Sequence, residues 1–126
     1  MTLKTPLARV LGLGSAKEGV GHWWWQRLTA IAMVPLGIWF VLSVISLAGA
    51  DYETASAWLQ SPFKAALFII FVLAAFWHAS LGLQVVVEDY IHTEWLKMTA
   101  LISIKMLIAL FSVVSVLLVL RIFLGV

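Results

Sequence analysis

Three stretches of the chain are almost continuously apolar, and the polar residues collect in the gaps between them. The first is LTAIAMVPLGIWFVLSVISL, Leu28 to Leu47; the second runs from about Phe63 to Val87 and the third from about Thr99 to Leu124. Each supplies the roughly 20 residues that a helix rising about 1.5 Å per residue needs to cross hydrocarbon. The connecting stretches AGADYETASAWLQSP and EDYIHTEWLKM are short, so neighbouring spans are antiparallel. The pattern predicts an all-α membrane protein of three transmembrane helices, up-down-up, in one domain over residues 1–126. Residues 1–26 precede the spans. Pro35 falls inside the first span and is expected to bend it, as a membrane helix tolerates when neighbours satisfy the freed carbonyl.

Composition agrees with a lipid solvent. Hydrophobic residues make up 63% of the 126 and charged residues only 11%, more apolar surface than a soluble domain of this size can hide. The absence of cysteine excludes thiolate-held iron–sulfur clusters, zinc-thiolate sites and disulfides. A net charge of +2 gives no reason to expect a nucleic-acid partner. The first twenty residues lack a continuous apolar core of signal-peptide length, so the first span is expected to direct insertion. Lys4, Arg9, Lys17 and Arg27 precede or open that span, whereas the first connection carries Asp51, Glu53 and, at its far end, Lys64. The basic bias predicts a cytoplasmic N-terminus. The second connection then lies on the cytoplasmic side and the C-terminus on the periplasmic side. Lys105 and Arg121 are expected to snorkel from the ends of the third span.

One ionisable residue interrupts the second span. His78 sits in AAFWHASLGLQVVVEDYIH, the stretch that closes in Glu88, Asp89 and Tyr90. From His78 to Asp89 is eleven residues, about 1,100° of rotation, which returns to within about 20° of the same face some 16 Å along the axis. Ala74, Ala75 and Gly82 surround His78 on that face. Small residues at this spacing admit a neighbouring helix closely, and they equally leave room for a flat macrocycle. Ordinary helix packing and axial ligation of a haem therefore both account for the pattern. If a haem is bound, the opposite ligand comes from another chain, because His22 and His92 both fall at the cytoplasmic boundary.

The same boundary carries GHWWWQRLTAI, Gly21 to Ile31. Its tryptophans suit the headgroup layer. Arg27 offers a fixed cation to a propionate or a quinone carbonyl. His22, Arg27, Asp89 and Tyr90 are expected at one membrane depth. Together they provide the donors and proton-relay groups that quinone reduction needs, although EDY also suits a plain polar helix end. Glu88, about 100° away from Asp89, is expected to be solvated.

On these residues the chain resembles the hydrophobic membrane anchor subunit of bacterial succinate dehydrogenase (succinate:quinone oxidoreductase), in the haem-b type that has two small anchor subunits. The resemblance spans nearly the whole chain. It rests on GLGSAKEG near the N-terminus, on HWWWQRLTAI, and on the histidine followed eleven residues later by DY. It implies that His78 is an axial haem b ligand, with the other ligand from the second anchor subunit. It implies that Tyr90 hydrogen-bonds a ubiquinone carbonyl with Asp89 in support. Arg27, and His22 beside it, would stand near the haem propionates, with Arg27 also at the quinone. A flavoprotein and an iron–sulfur protein would dock on the cytoplasmic face of the inner membrane and deliver electrons from succinate there. This chain would hold only the acceptor end and would not be catalytic alone. The competing readings are a small membrane transporter, disfavoured because no Asp or Glu lies inside a span, and a cofactor-free assembly protein.

Overall fold

The computed structural model describes residues 17–126, together with Val10. Lys4, Arg9 and most of GLGSAKEG lie outside the described residues. Four helices follow in order: α1 (Lys17–Ser46), α2 (Tyr52–Leu59), α3 (Pro62–Tyr90) and α4 (Glu94–Leu124). Three of them, α1, α3 and α4, are long and apolar enough to cross a membrane. At 30, 29 and 31 residues they are about 45 Å long, well beyond a hydrocarbon core of roughly 30 Å.

The helices extend past the predicted spans chiefly at one end. α1 begins eleven residues before Leu28 and α4 five residues before Thr99. Hydropathy falls off at GHWWWQR and EWLKM, but nothing in those segments breaks a helix, so the backbone continues through the interface. α1 is also continuous through Pro35. The first connection, expected only as a loop, contains α2. Asp51 caps it, accepting a 2.9 Å hydrogen bond from the Thr54 amide. The Thr54 hydrogen bonds hold the Asp51 carboxyl below its ordinary range. Pro62 opens α3 where its missing N–H is harmless. Gly125, in the left-handed region at φ 70°, ends α4. Only Ile91, His92 and Thr93 separate α3 from α4.

α3 is the middle of the arrangement. It packs along α1 on one side and along α4 on the other, and the backbones of α1 and α4 stay apart. Residues 26, 29 and 40 of α1 meet residues near 82, 78 and 68–71 of α3, so the two helices are antiparallel. Phe40 anchors the deep end of this seam, stacked on Phe71 at 4.7 Å between centroids and edge-on to Phe68 at 5.7 Å. Among the described hydrophobic residues only Ala65, Val87 and Val119 are buried. The apolar surface faces outward, as expected where lipid tails or neighbouring chains are the solvent. Hydroxyls inside the spans bond their own helix: Ser43 to the Trp39 carbonyl, Thr99 to Trp95 and Ser112 to Ile108, at 2.7–2.8 Å. Their protons are then not left facing hydrocarbon.

Candidate functional site

The seam between α1 and α3 is polar at its centre. His22, Gln26 and Thr29 fall at i, i+4 and i+7 on α1 and form one stripe toward α3. Opposite them α3 presents His78 and, one turn on, Gly82. Thr29 is buried at 9% exposure. Its Oγ1 lies 2.9 Å from His78 Nδ1, 2.7 Å from the Trp25 carbonyl and 3.1 Å from the Gln26 carbonyl. His78 is half-buried near the middle of α3. Trp77 turns outward and meets Trp25 of α1 at 5.8 Å between centroids. Gly82 leaves room for Gln26: a Cβ placed there would lie 4.0 Å from the Gln26 amide nitrogen, with nothing nearer. Gln26 Oε1 and His22 Nε2 are buried without a hydrogen-bond partner among the described residues.

Closer to the shared end of the helices, Gly19, His22, Gln84, Val85 and Glu88 line a recess of about 450 Å³. Gln84 donates to Glu88 Oε1 at 2.8 Å, and Glu88 is exposed as expected. Asp89 is exposed, and Tyr90 is 80% exposed at the last turn of α3.

The structure does not bring Arg27 to that rim, so the expectation of one depth for His22, Arg27, Asp89 and Tyr90 is corrected. Because α1 is already helical from Lys17, Arg27 does not open the helix; it lies ten residues inside it. Taking the Thr29–His78 contact as the register, Arg27 is level with about Ser80, some 15 Å along the axis from Tyr90. It also points away from the seam, about 100° round from Gln26, and its guanidinium lies 5.4 Å from the centroid of the Trp23 ring. The Arg27 backbone is thus nearer the level of His78, while its guanidinium reaches back over Trp23, level with about Gln84 and between His78 and Tyr90.

Two features were not anticipated from the sequence. One is Thr29, which hydropathy treats as an ordinary span residue; the helical spacing of His22, Gln26 and Thr29 was the available signal. The other is a groove of about 720 Å³ between α3 and α4, lined among others by Trp77, Ser80, Gln84, Lys105 and Ser112. Lys105 is eleven residues into α4, about 16 Å from its start.

No group of three or more His, Cys, Asp or Glu side chains among the described residues could hold a bare metal ion. A lone imidazole can hydrogen-bond a neighbouring helix, as His78 does with Thr29, or serve as an axial ligand to an iron whose equatorial ligands come from a macrocycle. The donor chemistry around His78 fits either case.

Three helices long and apolar enough to cross a membrane define a multi-pass membrane protein, with one imidazole near the middle of α3. The chain belongs to the succinate dehydrogenase/fumarate reductase transmembrane subunit family, whose model matches residues 1–119. It is similar to the succinate dehydrogenase hydrophobic membrane anchor subunit of Rickettsia bellii, 33% identical over 113 residues, covering 90% of this chain and 87% of the relative. The corresponding subunit of Rickettsia conorii is 32% identical over 114 residues, covering 90% and 87%. That of Paracoccus denitrificans is 30% identical over 100 residues, covering 79% and 78%. No solved structure matches the chain. The protein is accordingly a multi-pass protein of the bacterial inner membrane and a non-catalytic, anchoring subunit of an oxidoreductase complex.

Proposed function

We propose that this chain holds one side of a haem b and part of a ubiquinone site, in a complex that passes electrons from succinate to quinone. The observation that carries the proposal is His78: a half-buried imidazole at mid-span with one ring nitrogen engaged by Thr29. In this reading His78 is an axial ligand, and the opposite ligand belongs to the second anchor subunit, which completes a helix bundle with this chain. When bound, the haem supplies a one-electron carrier inside the bilayer. The Arg27 guanidinium, over Trp23 on the exposed face of α1, stands between the levels of His78 and Tyr90 and is a cation for a propionate and for a quinone carbonyl. His22, whose Nε2 is buried in the seam without a partner among the described residues, is placed near the propionates by the family resemblance alone, since it faces α3 and not the side of Arg27.

Tyr90 and Asp89 form the quinone side. The exposed Tyr90 hydroxyl donates a hydrogen bond to a carbonyl oxygen that gains charge as electrons arrive. Asp89 beside it passes protons from water toward that oxygen. The N-terminus is cytoplasmic in this reading, with the flavoprotein and iron–sulfur subunits docked at the Tyr90 end.

The test uses the complex purified with all its subunits. His78→Ala should abolish the b-type band in a reduced-minus-oxidised spectrum; a retained band removes the ligand role. Tyr90→Phe should impair quinone reduction by succinate while reduction of an artificial dye persists. Unimpaired quinone reduction removes the Tyr90 role.

A further inference from the structure

We propose that Thr29 is a positioning residue that holds the His78 ring as its Nδ1–H tautomer and presents a bare Nε2 for ligation. The inference rests on the reading of His78 as a haem ligand and adds to it a residue on a different span.

The hydrogen-bond inventory at Thr29 decides the matter. A hydroxyl has one proton to give and lone pairs to receive with. Three atoms surround Thr29 Oγ1: the Trp25 carbonyl at 2.7 Å, the Gln26 carbonyl at 3.1 Å and His78 Nδ1 at 2.9 Å. Both carbonyls can only accept, and the shorter one takes the proton. Ser43, Thr99 and Ser112 show the same habit, each donating to the carbonyl four residues back. What remains to Thr29 Oγ1 is a lone pair, so the contact with His78 is satisfied only if Nδ1 carries the hydrogen. The neutral ring then has no hydrogen on Nε2, the atom an iron requires. Turning the hydroxyl toward Nδ1 would forfeit the 2.7 Å bond and move the ring hydrogen to Nε2, where it would block ligation.

The contact also joins two spans, since 49 residues separate its partners. The position of α1 therefore fixes the rotation of the imidazole about its own bonds. Thr29 is the one buried polar residue among the described residues, so water has little access to its side of this hydrogen bond. Donation from Nδ1–H makes the ring a stronger electron donor at Nε2. The oxidised iron gains more from that than the reduced iron, and the midpoint potential is lowered.

The experiment compares Thr29→Val, Thr29→Ala, Thr29→Ser and His78→Ala in the complex purified with all its subunits. Haem retention is measured against a haem-scavenging apoprotein, and the potential by optical redox titration. Thr29→Val keeps the shape and loses the hydroxyl. It should release haem about 10–100-fold more readily and raise the potential. Thr29→Ser should match the unmodified complex in both respects. If Thr29→Val fails to assemble, Thr29→Ala against Thr29→Ser makes the same comparison. Unchanged retention and potential without the hydroxyl overturn the proposal, as does a Ser variant that behaves like Val. If His78→Ala loses haem while Thr29→Val is unaffected, Thr29 alone is refuted; if His78→Ala retains haem, the ligand reading fails and this proposal with it.

Discussion

Gly82 is the position at which the α1–α3 seam can be opened by degrees. Its absent side chain faces the Gln26 amide, and a Cβ built there meets that nitrogen at 4.0 Å, an ordinary contact. Gly82→Ala should therefore leave stability within about 1 kcal/mol of the parent, the helix-propensity gain of Ala over Gly being of that size. Gly82→Leu sends three further carbons toward Gln26. Forcing extra methylenes into a packed contact costs about 1–3 kcal/mol. If α1 yields by about 1 Å, the 2.9 Å contact between Thr29 and His78 one turn away exceeds hydrogen-bonding distance. Losing an interhelical hydrogen bond in a membrane adds about 0.6–2 kcal/mol. The Leu variant is thus expected to lose about 2–5 kcal/mol in all. Unfolding of the purified complex in graded denaturing detergent, followed by haem absorbance, would measure it. Adding Gln26→Ala to Gly82→Leu should return most of the loss, since the two side chains contend for one space. A Leu variant as stable as Ala would refute the close seam. So would an Ala variant as damaged as Leu.

Two further predictions concern the other end of the molecule. Trp58 of α2 stacks on Trp39 of α1 at 5.9 Å and lies 4.8 Å under the Lys64 ammonium; Trp58→Ala should cost about 1–2 kcal/mol locally and speed amide exchange through Tyr52–Leu59, and unchanged protection would contradict these contacts. The Asp51 carboxyl, held below its ordinary range by the Thr54 hydrogen bonds, stabilises α2 fully above the usual carboxylate pKa and loses that contribution as pH falls through the lowered value. Exchange in α2, normalised to Asp51→Ala, should converge with the variant only in strong acid, and convergence already at the ordinary carboxylate range would contradict the cap.

The three spans and the exceptional status of His78 were legible in the sequence because both depend on the cost of polar groups in lipid, a property of single residues and their neighbours. The helix ends were less so. Trp23–Trp25, Gln26 and Arg27 end the apolar run without ending the backbone pattern, and so the helix begins eleven residues before the apolar run does. The pairing of α1 with α3 then sets the Arg27 backbone about 15 Å along the axis from Tyr90. α2 escaped notice because eight residues leave little pattern to read, and its stability comes from a cap and from Trp39, elements outside the segment. The pairing of Thr29 with His78 depends on how α1 and α3 settle against each other, which no local spacing encodes.

The side-by-side order of the long helices governs how the molecule can come apart. The backbones of α1 and α4 stay apart, but α2 reaches both, stacking Trp58 on Trp39 of α1 and packing against α4, so α3 and α2 together hold the two flanks. Disassembly can therefore begin on either flank of α3, and detaching α1 or α4 also strips one side of α2. Only the loss of α1 separates Thr29 from His78; detachment of α4 leaves that pair standing. Damage on the α4 side should accordingly erode the fold before it reaches the imidazole, giving the candidate ligand a measure of insulation from the opposite flank.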